Sequence, residues 1–238
     1  MGKKSLLLIA GGVVSIFLTG CAMWNLKVSQ PVSQSASGVM IKIPGICPVL
    51  IPCSDQIVTF ARLGDDDLIS SEIYQTSTMK NNHYYLLNAR PGKYVAVAAT
   101  YSRGTSIGGS AGNISGVITR VFGENILFSS ELVEKTKIEL LPGSLAIMGE
   151  FDFSVDGRMA LAPSASQFLK NADSVQAHYA KAIDSEMESR GAMSSIKFYR
   201  GTLKSVGTDP GSKQKLLELA RKHIGAEGWE SQLANSKM

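Results

Sequence analysis

The sequence predicts a mainly β protein with C-terminal helices (α+β), an antiparallel β-sandwich of about seven to nine strands carrying two amphipathic helices. Three observations carry that expectation. From Gly38 to Phe153, short runs rich in β-branched and aromatic residues alternate with Gly, Pro, Asn, Asp and Ser. No helical pattern separates these runs, which favours antiparallel neighbours over a parallel sheet. After Pro163 the apolar period lengthens from two to three and four.

The N-terminal end reads as an address. Lys3 and Lys4 precede an uncharged run from Ser5, "SLLLIAGGVVSIFL", of signal-peptide length. A spanning helix needs about 20 apolar residues, and this run reaches that length only by continuing through Cys21. Leu18, Thr19, Gly20 and Cys21 resemble the lipobox of bacterial lipoproteins. The resemblance implies cleavage before Cys21 and a thioether-linked lipid on its sulfur, since only a thiol can carry that linkage. The membrane partner is then lipid, through acylated Cys21, in a bacterial cell envelope. In that family an Asp after the cysteine marks inner-membrane retention; Ala22 stands there, so the periplasmic face of the outer membrane is favoured in a two-membrane envelope. The alternative is an uncleaved signal anchor with an incidental cysteine.

The expected organisation is a signal peptide over 1–20, a lipidated cysteine and polar tether over 21–37, a sandwich over 38–162 and a helical region over 163–238 packed on it. The tether is rich in Ser and Gln. The strands are expected at "VMIKI", "QIVTFARL", "HYYLLNA", "KYVAVAATY", "GVITRVF", "NILFSS", "TKIEL" and "SLAIMGEFDF". Pro91-Gly92 and Pro142-Gly143 supply turns, Pro presetting φ and Gly accepting a positive value. The segment "YYLLNARPGKYVAVAATY", with Tyr85 before the turn and Tyr94 after it, resembles the strand–PG–strand signature of transthyretin-like modules. That likeness implies an adhesive, carbohydrate-binding or structural role.

In the helical part, Phe168, Ala172, Val175, Tyr179, Ile183 and Met187 form one stripe, with Ser164 or Ser166 as N-cap and Gly191 as stop. "IKFYRGTL" is a candidate last strand. A second helix follows, capped by Ser212, apolar at Leu216, Leu217, Ala220 and Ile224, and ended by Gly225. Trp229 and Leu233 pin a final turn.

Composition and motifs exclude more than they assign. The net charge of +4 falls to +2 without Lys3 and Lys4, and nine Lys/Arg against four Asp/Glu lie from Arg190 onward. A basic end of this kind can approach anionic lipid or polysaccharide, but its charges are interspersed and lack the aromatic interleaving of a nucleic-acid platform. Cys47 and Cys53 read as a disulfide in an exported chain, with two buried free thiols or a metal pair as alternatives. His83, His178 and His223 show no ligand spacing, and Asp65, Asp66 and Asp67 lack the alternation of a calcium loop. Neither a metal nor a cofactor is expected. "GGSAG" around Ser110 satisfies the G-x-S-x-G pattern of the nucleophile elbow, but β pattern continues where the elbow needs a helix. Asn113 stands in a glycosylation sequon that an envelope protein of bacteria does not normally use. The reading is a non-enzymatic, lipid-anchored envelope protein that presents its β domain for assembly or for binding a protein or polysaccharide. Its rival is an envelope hydrolase using Ser110 or a carboxylate pair.

Overall fold

In a computed structural model of the protein, residues 28–47, 53–64, 68–111, 114–156, 165–189 and 197–236 are described. Seven strands come first: β1 (Ser37–Lys42), β2 (Ser54–Leu63), β3 (Ile73–Gln75), β4 (Thr78–Lys80), β5 (His83–Ala89), β6 (Gly92–Ala111) and β7 (Ile114–Phe128). Helix α1 (Ser130–Lys135) leads to β8 (Ile138–Leu140) and β9 (Leu145–Asp156). Helices α2 (Ala165–Asn171) and α3 (Ser174–Ser189) precede β10 (Lys197–Gly207), and α4 (Pro210–Ile224), a 3-10 turn (Gly225–Glu227) and α5 (Glu230–Ala234) close the chain.

The chain is mainly β with C-terminal helices, as expected, but the strands form one curled mixed sheet instead of an antiparallel sandwich. Their order is β3-β2-β6-β7-β10-β9-β1-β5-β4, with β8 also paired to β6. β1 runs parallel to β9, and β10 runs parallel to β7. The absence of helices between consecutive strands did not exclude these pairs, because parallel neighbours here are far apart in sequence. β10 contains the candidate last strand "IKFYRGTL" from Lys197 on, and it lies inside the sheet between β7 and β9, although the region around it was expected to be helical and packed on the β domain.

Two clusters share the apolar residues. Val39 and Ile41 of β1, Tyr84 and Leu86 of β5, and Ala146 and Met148 of β9 point into the main core with β2, β6, β7, β10, α1 and α3. Met40, Tyr85, Leu87, Leu145 and Ile147, the alternate residues, pack under Leu216, Leu217, Ala220, Ile224, Trp229 and Leu233. These three strands are therefore buried on both faces, the reason their sequences read as near-continuous apolar runs. Each large side chain so buried contributes about 1.5–3 kcal/mol.

The helices differ from expectation in their ends. The long stripe is broken at Ala172–Asp173, where Asp173 accepts from the Gln176 amide at the start of α3. Phe168, Val175, Tyr179 and Ile183 are buried on one side, while Ala172 is partly buried. α2 begins at Ala165, whereas Ser164 and Gly191 lie outside the described residues. α4 is capped by Asp209, not Ser212: the Asp209 carboxylate accepts from the Ser212 amide at 3.0 Å, and Pro210 occupies the first turn. Gly225 caps the end of α4 as expected, in the right-handed region, and Gly228, at φ 91°, ends the 3-10 turn that follows.

Of the turns, Gly143 adopts φ 66°, as a Pro-Gly turn requires. The strands flanking Pro91 and Gly92 pair with other strands rather than with each other. The tight hairpin instead joins β4 to β5, where Asn81 and Asn82 both take positive φ between the paired Lys80 and His83.

One edge of β6 carries two strands in tandem: β8 opposite Gly92–Tyr94 and β7 from Ala98 onward. In the gap, Ala96 N–H donates to the buried Thr136 hydroxyl at 2.9 Å, and that hydroxyl donates to Val133 O at 2.7 Å. A side chain thus replaces a ladder bond where the backbone makes a helical detour. Thr136→Val should lower stability by about 1–3 kcal/mol in denaturant unfolding, because a buried N–H loses its acceptor. A loss no larger than that of an exposed Thr→Val change would show the hydroxyl to be dispensable.

Candidate functional site

Cys21, expected to hold lipid, and the cleavage motif Leu18, Thr19 and Gly20 before it lie outside the described residues. The structure describes where the chain leads from them into the fold. The segment expected to be a polar tether is held in place from Val28 on. Trp229 Nε1 donates to Ser29 O at 2.8 Å, and the Asn88 amide donates to Gln30 O while accepting from Val32 N–H, each at 3.0 Å. Gln232 donates to Gln34 O at 3.3 Å, and Gly143 N–H donates to Ser35 O at 3.1 Å. Trp229 is fully buried, and Val28 packs on the cluster beneath α4 and α5. Six residues, 22–27, therefore separate Cys21 from a segment already part of the fold. Trp229 was legible as a pin, but its partner was not: the sequence separation between Ser29 and Trp229 is 200 residues.

Cys47 and Cys53 are joined by a disulfide, with Cα atoms 6.1 Å apart. Ser110 sits inside β6, paired with Ser115 of β7, so the backbone around it is a hairpin strand. The nucleophile elbow needs a strand–turn–helix geometry, and β6 and β7 do not supply it. The expected end of that strand near Tyr101 is likewise corrected, since β6 runs to Ala111. Asp65, Asp66, Asp67 and Asn113 lie outside the described residues. Among the described residues, no three His, Cys, Asp or Glu side chains gather as a metal-binding group. No described helix is long and apolar enough to cross a membrane.

The histidines separate into two settings. His178 Nε2 lies 3.1 Å from Ser70 O, and its ring meets Tyr179 edge-on. His83 and His223 come together, their ring centroids 5.0 Å apart in an edge-to-face contact. His83 Nδ1 is 2.7 Å from Asn81 O and so carries the proton. That leaves Nε2 unprotonated and buried, with no hydrogen-bond partner among the described residues. His223 Nδ1 shares a 2.8 Å hydrogen bond with the Tyr85 hydroxyl. Burial holds both imidazoles below their usual pKa, against the carbonyls of Asn81 and Lys80 that favour protonated His83. For His223 the value falls to about 4, with the charges of His83 and Lys80 adding to burial. Lys42 and Glu150, ion-paired at 2.9 Å, act on His83 in opposite directions. Burial also raises the Tyr85 hydroxyl.

A second buried polar group was not visible in the sequence. Tyr101 donates to the carboxylate of Glu124, and Thr100 donates to Asn125 Oδ1 at 2.7 Å. Glu124 and Asn125 are each 1% exposed. In a lone sequence, "GEN" between two apolar runs reads as a turn. The long β6–β7 pairing places it mid-strand instead.

Compared with known proteins, the chain matches no protein-family model, no curated protein and no solved structure.

The histidine pair fixes a pH response. A histidine whose folded-state pKa is depressed leaves the unfolded chain holding more protons, so stability is complete above about pH 6.5 and is lost as pH falls toward 4. His223→Gln keeps an acceptor for Tyr85 and removes the titration. It should remove about 1 kcal/mol of the stability difference between pH 7 and pH 4, a figure already reduced for solvent access to His223. Identical pH profiles for wild type and variant, from thermal unfolding, would count against the pair.

Proposed function

We propose that this chain is a lipid-anchored protein of a bacterial cell envelope, non-enzymatic, that presents its curled sheet for structural assembly or binding. The observation that carries the proposal is Leu18-Thr19-Gly20-Cys21 behind Lys3-Lys4 and an uncharged apolar run. The Cys47–Cys53 disulfide suits an exported protein. Two or three acyl chains on Cys21 would hold the domain stably, where one would not. Ala22 after the cysteine favours the outer membrane, periplasmic face, in a two-membrane envelope. The transthyretin-like likeness of Tyr84–Tyr101 rests on that segment's sequence alone, and the proposal does not depend on it.

Cys21→Ser should abolish metabolic labelling by a fatty-acid analogue and leave a precursor that retains residues 1–20, read by intact mass. Labelling that persists in the variant would refute the anchor.

A further inference from the structure

Two of the chain's three histidines, His83 and His223, meet where the last turn of α4 reaches β5. In both rings Nδ1 is already engaged by an oxygen. His83 Nδ1 donates to Asn81 O at 2.7 Å, and His223 Nδ1 shares the 2.8 Å bond with the Tyr85 hydroxyl. The nitrogen left over in each ring is Nε2. For His83 that atom is buried, with no hydrogen-bond partner among the described residues, in a side chain only 4% exposed. Folded proteins satisfy a buried lone pair of this kind with a protein group, a water or an ion.

The arrangement around the two rings is that of metal-bound histidines. An oxygen on the other ring nitrogen fixes the tautomer and the ring orientation of such a ligand. With Nδ1–H donating to the Tyr85 oxygen, His223 also presents a lone pair at Nε2. Burial keeps both imidazoles neutral near pH 7, which is the form that ligates a metal. The spacing agrees. A metal–nitrogen bond of about 2.0–2.1 Å, with about 1.1 Å more to the ring centre, puts each centroid about 3.2 Å from a shared ion. Centroids 5.0 Å apart then subtend about 100° at that ion, close to a tetrahedral angle. The charge of Lys80 opposes a cation at His223, whereas Lys42 is matched by Glu150 at 2.9 Å. Imidazole ligands select late first-row cations over Mg²⁺ and Ca²⁺, which take oxygen.

We propose that His83 Nε2 and His223 Nε2 together bind one divalent transition cation of the zinc or copper class, with water completing its coordination. Two protein ligands make an open site. Both imidazoles are neutral beforehand, so the ion displaces no proton from the protein near pH 7: in His223 the proton moves from Nε2 to Nδ1 as the Tyr85 bond reverses. His83 belongs to β5 and His223 to α4, so the ion is a clasp between the sheet and the C-terminal layer that covers it. The site is independent of the lipid-anchor reading.

The test uses the full chain, purified without a histidine tag and stripped with a chelator. Zn²⁺ and Cu²⁺ are titrated calorimetrically into the wild type and into His83→Gln, His223→Gln and His178→Gln. The wild type and His178→Gln should each take up one ion at the same affinity. Affinity should fall by about tenfold or more in His83→Gln and in His223→Gln. No uptake by the wild type, or equal affinity in all four proteins, would overturn the site. Nitrogen-15 spectra of the histidine-labelled wild type answer the same question without any variant. Zn²⁺ should shift Nε2 of two rings and leave the third, His178, whose Nε2 lies 3.1 Å from Ser70 O, unmoved. A shift confined to one ring, a shift at His178, or none at all would overturn the pair as ligands.

Discussion

The structure depends on the complete enclosure of β1. Its edges are taken by β5 and β9, the first antiparallel and the second parallel, and its residues alternate between two apolar clusters. Val39, Met40, Ile41 and Ile43 are fully buried. A strand enclosed in this way leaves no backbone donor or acceptor to water, so both neighbours must hold register along it. One accommodation is visible: the β1–β9 register shifts between Met40 and Ile41, opposite Gly149 at φ 136°. A Cβ at Gly149 would stand 2.7 Å from Gly207 O, so β9 admits β10 this closely only because that position is glycine.

The C-terminal helices complete this enclosure. α4 lies over β9, β1 and β5, and its last turn brings His223 against Tyr85 and His83. α5 then carries Trp229, Gln232 and Leu233 to the segment that precedes β1. The polar contacts of this outer layer are few and specific beside its apolar area, so they fix how the layer sits while burial supplies most of its stability. The chain's entry point and its end thereby become one structural unit, and a link from Cys21 attaches to the domain's last helix as much as to its first strand.

Much of the β content was readable from local pattern. Strands at Val39–Ile43, Gln56–Leu63, His83–Ala89 and Ser144–Phe153 fall where alternation and turn residues put them. β3, β4 and α1 were not read, being too short for a period to show. The Asn81-Asn82 turn was a local signal left unused. The Glu124 and Asn125 burial was hidden because polar residues between apolar runs resemble a loop until a long partner strand pairs through them. The anchor motif shows the reverse case: its chemistry is entirely local, and four consecutive residues suffice to propose it.

By itself the sequence determined the strand-rich body and the two late amphipathic stripes, each a matter of period, and it pointed to the Cys47–Cys53 disulfide that the structure contains. Only the tertiary structure decided that the sheet is mixed, that β10 lies within it, and that His83 meets His223 across 140 residues of sequence. The reason is physical. Periodicity reports which side of a strand meets apolar surroundings, but it says nothing about which strand lies alongside. That choice is made by the shared burial of β1, β5 and β9 beneath one helix, an energy that exists only once distant segments meet.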